Sequence, residues 1–126
     1  MNKKIINTSH APDPIGPYSQ AVQANGMVFI SGQIAIKPGT SELITDNIQM
    51  ETEQVMTNLK AILNEAGLAF EHVIKTTIFL KDMSLFTSVN EIYGKYFNSD
   101  FPARETVAVK GLPKDVNVEI SMIAAA

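Results

Sequence analysis

The segment Val116-Asn117-Val118-Glu119-Ile120-Ser121-Met122-Ile123-Ala124 alternates apolar and polar side chains. Successive side chains of a β-strand point to opposite faces. Val116, Val118, Ile120 and Met122 therefore share one face, and Asn117, Glu119 and Ser121 share the other. This is the pattern of a half-buried strand, and it closes the chain. Working back, Glu105 to Lys110 reads as a second strand, and Val73 to Lys81, rich in β-branched residues, as a third. Helical spacing flanks the third on both sides. After Asp46, apolar residues at Ile48, Val55, Leu59, Ile62, Leu63 and Ala66 fall on one stripe. Asp46 is placed to cap that helix, with Gln49 three residues on, and Gly67 to end it. A second helix starts near Asp82 or Ser84. Its stripe of Leu85, Phe86, Val89, Ile92, Tyr93, Tyr96 and Phe97 reads as core. Nearer the N-terminus, Lys4 to Thr8, Ser19 to Ala24 and Met27 to Gly32 read as strands, the last two joined by a tight turn at Asn25-Gly26. The order is βββαβαββ, an α+β fold with a mixed sheet and two helices on one face. The other sheet face is left to be covered, and a second copy of a small chain is one way to cover it.

Composition sets the outer bounds. The 126 residues suit a single domain spanning 1–126, with 45% hydrophobic and 18% charged residues. The absence of cysteine excludes disulfides, thiolate chemistry and cysteine metal sites. No apolar run approaches the roughly 20 residues of a membrane span, and none of signal-peptide length follows the first eight residues. The expectation is a soluble, cytoplasmic protein with no membrane partner. The net charge is −3, and the ten Lys and Arg are scattered. Their only clusters are Lys3-Lys4 and Lys110 with Lys114. Without a basic stripe, a nucleic-acid partner is not expected. His10 and His72 lie far apart, with no metal-ligand spacing, so a metal is not expected.

Four places could carry chemistry. Glu119 sits mid-strand among apolar residues, where a carboxylate costs several kcal/mol to bury unless paired; a simply wet face would also explain it. Arg104 is the only arginine. Its planar fork can grip a carboxylate at two points, although on pattern alone a surface ion pair is the plainer reading. Glu105 points to the opposite face of a regular strand and is a poor partner for it. Ile15-Gly16-Pro17-Tyr18-Ser19-Gln20 fixes the entry of Tyr18 through a rigid turn, with an aromatic plug as the plainer reading. Ser31-Gly32-Gln33 ends a strand, and glycine there permits close backbone approach by a ligand or another chain.

Taken in order, Ile15-Gly16-Pro17-Tyr18-Ser19-Gln20, Ser31-Gly32-Gln33-Ile34, Lys75-Thr76-Thr77-Ile78-Phe79-Leu80-Lys81-Asp82, Val89-Asn90, Phe101-Pro102-Ala103-Arg104 and Leu112-Pro113-Lys114-Asp115 resemble the reactive-intermediate deaminase (Rid, or YjgF) family, in particular its RidA-like branch. The resemblance covers essentially the whole chain. It implies a chorismate-mutase-like fold whose homotrimer forms an inner barrel, with clefts between subunits. It further implies hydrolysis of 2-iminobutanoate and 2-iminopropanoate to 2-keto acids and ammonia, without a cofactor. By position, Arg104 would clamp the substrate carboxylate and Glu119 would activate water. Tyr18, Phe86 and Asn90 would line the pocket, and Ser31, Gly32 and the backbone of Thr106 would supply hydrogen bonds. Many relatives carry Arg-Ser-Cys where this chain has Arg104-Glu105-Thr106, and a glutamate where it has Ser121. The alternative expectation is a non-catalytic trimer that binds 2-keto acids or other small carboxylates.

Overall fold

The computed structural model describes residues 2–126. Its strands are β1 (Lys4–Ile6), β2 (Ala21–Ala24), β3 (Met27–Gln33), β4 (Val73–Leu80), β5 (Ala103–Ala108) and β6 (Val118–Ala125), and its helices are α1 (Ile48–Glu65) and α2 (Phe86–Gly94). The predicted βββαβαββ order and α+β class hold. All six strands form one sheet in the order β1-β2-β3-β6-β4-β5. Only β4 and β5 run parallel; the other neighbours are antiparallel.

The alternation of β6 decides which face is packed. Val118, Ile120, Met122 and Ala124 are at most 2% exposed. They meet Val55, Met56, Leu59, Ile62 and Leu63 of α1, and Val89 and Tyr93 of α2, in one core. Both helices thus cover the same face. The opposite face stays open: Phe29 is 44% and Val107 48% exposed. Phe29 pairs with Ile123 there, and Phe79 with Glu119.

Several boundaries move. The cap of α1 is Asn47, whose Oδ1 accepts the Met50 N–H at 2.8 Å, and Asp46 is displaced from that role. An Asn side chain in extended backbone bonds the third helical N–H as well as an Asp does, so the sequence offers two neighbouring candidates. At the other end Gly67 takes φ +77°, letting Leu68 N–H close back on the Leu63 carbonyl at 2.9 Å. Strand β5 runs from Ala103 to Ala108 rather than Glu105 to Lys110, because parallel pairing with β4 begins at Lys75–Ala103. Arg104 therefore lies inside the strand. Val116 is buried (1%) but precedes β6.

Candidate active site

Glu119 faces the open side of the sheet, in the middle of β6. It is half-buried, and burial pushes its carboxyl pKa above the ordinary 4.5. Among the described residues no hydrogen bond or ion pair reaches it. Between Ile30 and Gln33 the register of β3 against β6 slips by one residue, a bulge that re-aims the strand. The bulge lays Gly32 against the carboxyl group. A Cβ on Gly32 would come within 2.8 Å of the Glu119 carboxyl carbon, so only glycine leaves that group its place. Beside it lies a cavity of about 40 Å³ whose walls include Tyr18, Gly32, Ile34, Pro113 and Glu119, room for a few waters. The loop that carries Tyr18 is braced by the turn bond from Tyr18 N–H to the Gly16 carbonyl (2.9 Å) and by Ile15 N–H donating to the Tyr18 hydroxyl (3.2 Å). Ser31 donates its hydroxyl to the Ser19 carbonyl at 2.6 Å, tying β3 to the same loop.

Arg104 stands elsewhere. Cross-strand pairing of Thr76 with both Arg104 and Met122 puts it on the helix-packed side of the sheet. Its Nη1 donates to Asn90 Oδ1 at 2.6 Å. The guanidinium carbon lies 5.6 Å from the Phe86 ring centre and 5.3 Å from that of Tyr93, within cation–π range. Tyr93 is held in turn by donating to Thr76 Oγ1 at 2.9 Å, and burial raises its pKa. The guanidinium borders an open cleft of about 450 Å³ with Asn90, Tyr93, Phe101 and Pro102. Glu105 points the other way and pairs with Lys75 at 3.3 Å. Thr106 follows Arg104 on the same face, paired with Ile78; its buried Oγ1 has no hydrogen-bond partner among the described residues.

One chain thus places the expected site residues in two separate groups: Tyr18, Ser31, Gly32 and Glu119 in one, and Phe86, Asn90, Arg104 and Thr106 in the other. Arg104 and Glu119 do not meet within it. Among the described residues, no three His, Asp or Glu side chains gather as a metal-ligand set, and no helix is long and apolar enough to cross a membrane.

With this geometry in view, the family described as endoribonuclease L-PSP matches residues 8–126. The chain belongs to this family, also called Rid. A RutC family protein of Synechocystis is 52% identical over 126 residues, covering 98% of this chain and 97% of the relative. A protein of Dermatophagoides farinae named 2-iminobutanoate/2-iminopropanoate deaminase is 45% identical over 121 residues, covering 96% and 94%. The crystal structure of Escherichia coli TdcF with bound serine superposes with a TM-score of 0.93 at 42% identity, covering 98% of each chain.

Three buried polar side chains of this Rid protein brace the surroundings of the Glu119 cavity, and two of them, Glu51 and Asn58, lie outside the motifs read from the sequence. Gln20 (1% exposed), Glu51 (0%) and Asn58 (0%) are buried polar side chains. Gln20 bonds Thr8 N–H and the carbonyls of Thr8, Ala11 and Pro12. Asn58 donates to the Ile34 and Ile36 carbonyls. Glu51 receives Asn117 and Val118. Pro12, Ile34, Ile36 and Pro113 all wall the Glu119 cavity, so each of the three braces a segment of or beside that wall. A signal existed: Glu51 and Asn58 fall at three- and four-residue steps from Ile48, Val55 and Ile62, on the apolar stripe of α1, where a polar residue needs a buried partner. Tyr93 was legible as core, but its ring against Arg104 was not.

Proposed function

We propose that this Rid protein hydrolyses short 2-imino acids, such as 2-iminobutanoate and 2-iminopropanoate, to 2-keto acids and ammonia in the cytoplasm, as a homotrimer with each site shared by two subunits. The observation that carries the reading is the Glu119 carboxyl: half-buried, unpaired among the described residues, and held by Gly32 beside a cavity of water size. A carboxylate kept so at a cost in desolvation, with its pKa moved toward neutrality, suits a general base.

The chemistry asks little more. Arg104, aimed by Asn90 and two aromatic rings, grips the substrate carboxylate through charge-assisted hydrogen bonds. Water attacks the electrophilic imine carbon while Glu119 takes its proton. The imine enters protonated, so this gives a neutral carbinolamine; Glu119 then returns the proton to the amino nitrogen, and the hydroxyl proton is lost as the C–N bond breaks, leaving the 2-keto acid and ammonium. Positioning and proton transfer are the two contributions made by the protein, and no cofactor enters. Because Arg104 and Glu119 lie on opposite faces of one sheet, they can act on one substrate only if neighbouring chains bring them together. The exposed Phe29 and Val107 give the open face a reason to be covered by another copy. The deaminase name of the Dermatophagoides relative and the serine bound to TdcF, an amino acid with the same carboxylate handle, support the same reading.

The test couples a threonine dehydratase to the protein in the presence of semicarbazide, which traps free imine. Keto acid should form at the expense of the semicarbazone. If semicarbazone formation is unchanged by the protein, the enzyme reading fails and carboxylate binding without turnover takes its place.

A further inference from the structure

Glu51 is a fully buried carboxylate (0% exposed) in the first turn of α1, and the chemistry above makes no use of it. Its Oε2 accepts the backbone N–H groups of Asn117 at 2.8 Å and Val118 at 3.2 Å. Its Oε1 accepts Asn117 Nδ2 at 2.7 Å. The next residue in the chain is Glu119.

The chain just before this clasp is strained. Lys114 and Asp115 both hold left-handed backbone, with φ of 54° and 55°. Residues with a Cβ take that conformation only where their surroundings impose it, and such strain gathers at functional sites. Pro113, which opens the turn, walls the Glu119 cavity. Strand β6 thus enters the sheet through a strained turn, and one buried side chain reaching over from α1 clasps its exit. Two other contacts hold the same stretch: Lys81 N–H donates to the Asn117 carbonyl at 2.9 Å, and Val116 is buried against Ile34 and Ile36; neither supplies an acceptor for the Asn117 and Val118 N–H groups. Lys81 pairs with Asp115 at 3.1 Å, but both side chains are exposed, and exposed pairs hold little.

We propose that Glu51 is a positioning residue for Glu119. By clasping the main chain of Asn117 and Val118, it sets where the Glu119 carboxyl meets Gly32 and the cavity. The effect on rate rests on the imine-hydrolysis reading; the effect on the place of Glu119 does not.

Three donors converge on Glu51, which suits a carboxylate. Glutamine keeps one acceptor oxygen for the two backbone N–H groups, and its amide can donate to Asn117 if the Asn117 amide flips. Glu51→Gln is therefore the rescuing variant, and Glu51→Leu fills the space with no acceptor at all.

The experiment uses the full chain, with carboxyl-labelled glutamate and the Glu119 signal assigned through Glu119→Gln. Circular dichroism and light scattering first establish that each variant folds and assembles like the parent. In Glu51→Leu, the Glu119 titration should fall toward the ordinary 4.5, and kcat for trapped-imine hydrolysis should drop about 100-fold, the scale of a misplacement near 1 Å. KM should stay within about twofold, because the Arg104 half-site is untouched. Glu51→Gln should retain the parent titration and most of kcat. Asn117→Ser, which removes one of the three bonds, should shift both readouts part of the way, and with Glu51→Gln it decides the matter if Glu51→Leu does not fold. An unmoved Glu119 titration in a folded Glu51→Leu or Asn117→Ser protein overturns the proposal. A parent that fails to hydrolyse imine overturns the proposed function instead, and the titration alone then settles the role of Glu51.

Discussion

Glu119 and Arg104 each make a prediction that turns on a single side chain. Burial raises the Glu119 pKa above 4.5, so the folded protein holds that proton more tightly than the unfolded chain. Stability from this source is full below 4.5 and is lost as pH rises through the raised folded value. Glu119→Gln should therefore melt at a higher temperature than the parent near neutral pH, with the gap closing on acidification below 4.5. As a base, Glu119 must be ionised, so kcat should fall along an acid limb placed above 4.5. Removing the base should cost about 10²–10⁴ in kcat, while binding of an unreactive keto acid, followed by calorimetry, persists or tightens. Unchanged turnover in Glu119→Gln would leave the hydrolysis to solvent water. Arg104→Lys keeps the charge and loses the planar fork that now meets Asn90 and two rings. One lost charge-assisted hydrogen bond is worth about 1.5–3 kcal/mol, or roughly ten- to hundredfold in kcat/KM. A lysine variant equal to the parent would remove Arg104 from the carboxylate.

At the scale of elements, periodicity located both helices and the last strand because each repeat reports the face turned to the core, while β-branched content and turn residues marked other strands. Ends are set by single hydrogen bonds, and these were less legible. Asp46 and Asn47 are equally good caps by residue type, and backbone placement chose Asn47. Asn47→Ala should therefore cost about 1 kcal/mol in chemical denaturation, whereas Asp46→Ala should change stability little; the reverse result would return the cap to Asp46. The bulge in β3 was equally hidden. Ser31-Gly32-Gln33 stood out as a place of close approach, but only the pairing with β6 shows that the group approached is the carboxyl of Glu119. The parallel pairing of β5 with β4 moved that strand two residues back and placed Arg104 within it.

For the whole molecule, the opposite facing of Arg104 and Glu119, joined to the proposed shared site, leads to an assembly prediction. Light scattering at micromolar concentration should give about three times the 13.7 kDa chain mass. Mixing is a sharper test. Arg104→Ala and Glu119→Gln chains, each inactive alone, should form mixed trimers on co-refolding, in which only one interface of three pairs an intact Arg104 with an intact Glu119. Equal mixing should then restore about a quarter of parental activity, since a closed ring makes every contact head-to-tail. No restoration, with mixed trimers present, would mean that the halves do not share a substrate. The sequence alone determined the α+β class, the element order and the apolar stripes, because side-chain periodicity is local and each face declares itself within a few residues. It also marked Arg104 and Glu119 as singular, by chemistry and by position. It did not reveal that the two face opposite ways, that Gly32 lies on the Glu119 carboxyl, or that Glu51 clasps the start of β6. Those relations join residues 15, 87 and 66 or 67 positions apart. Strand pairing and helix packing set them, and neither is written in any one stretch of the chain.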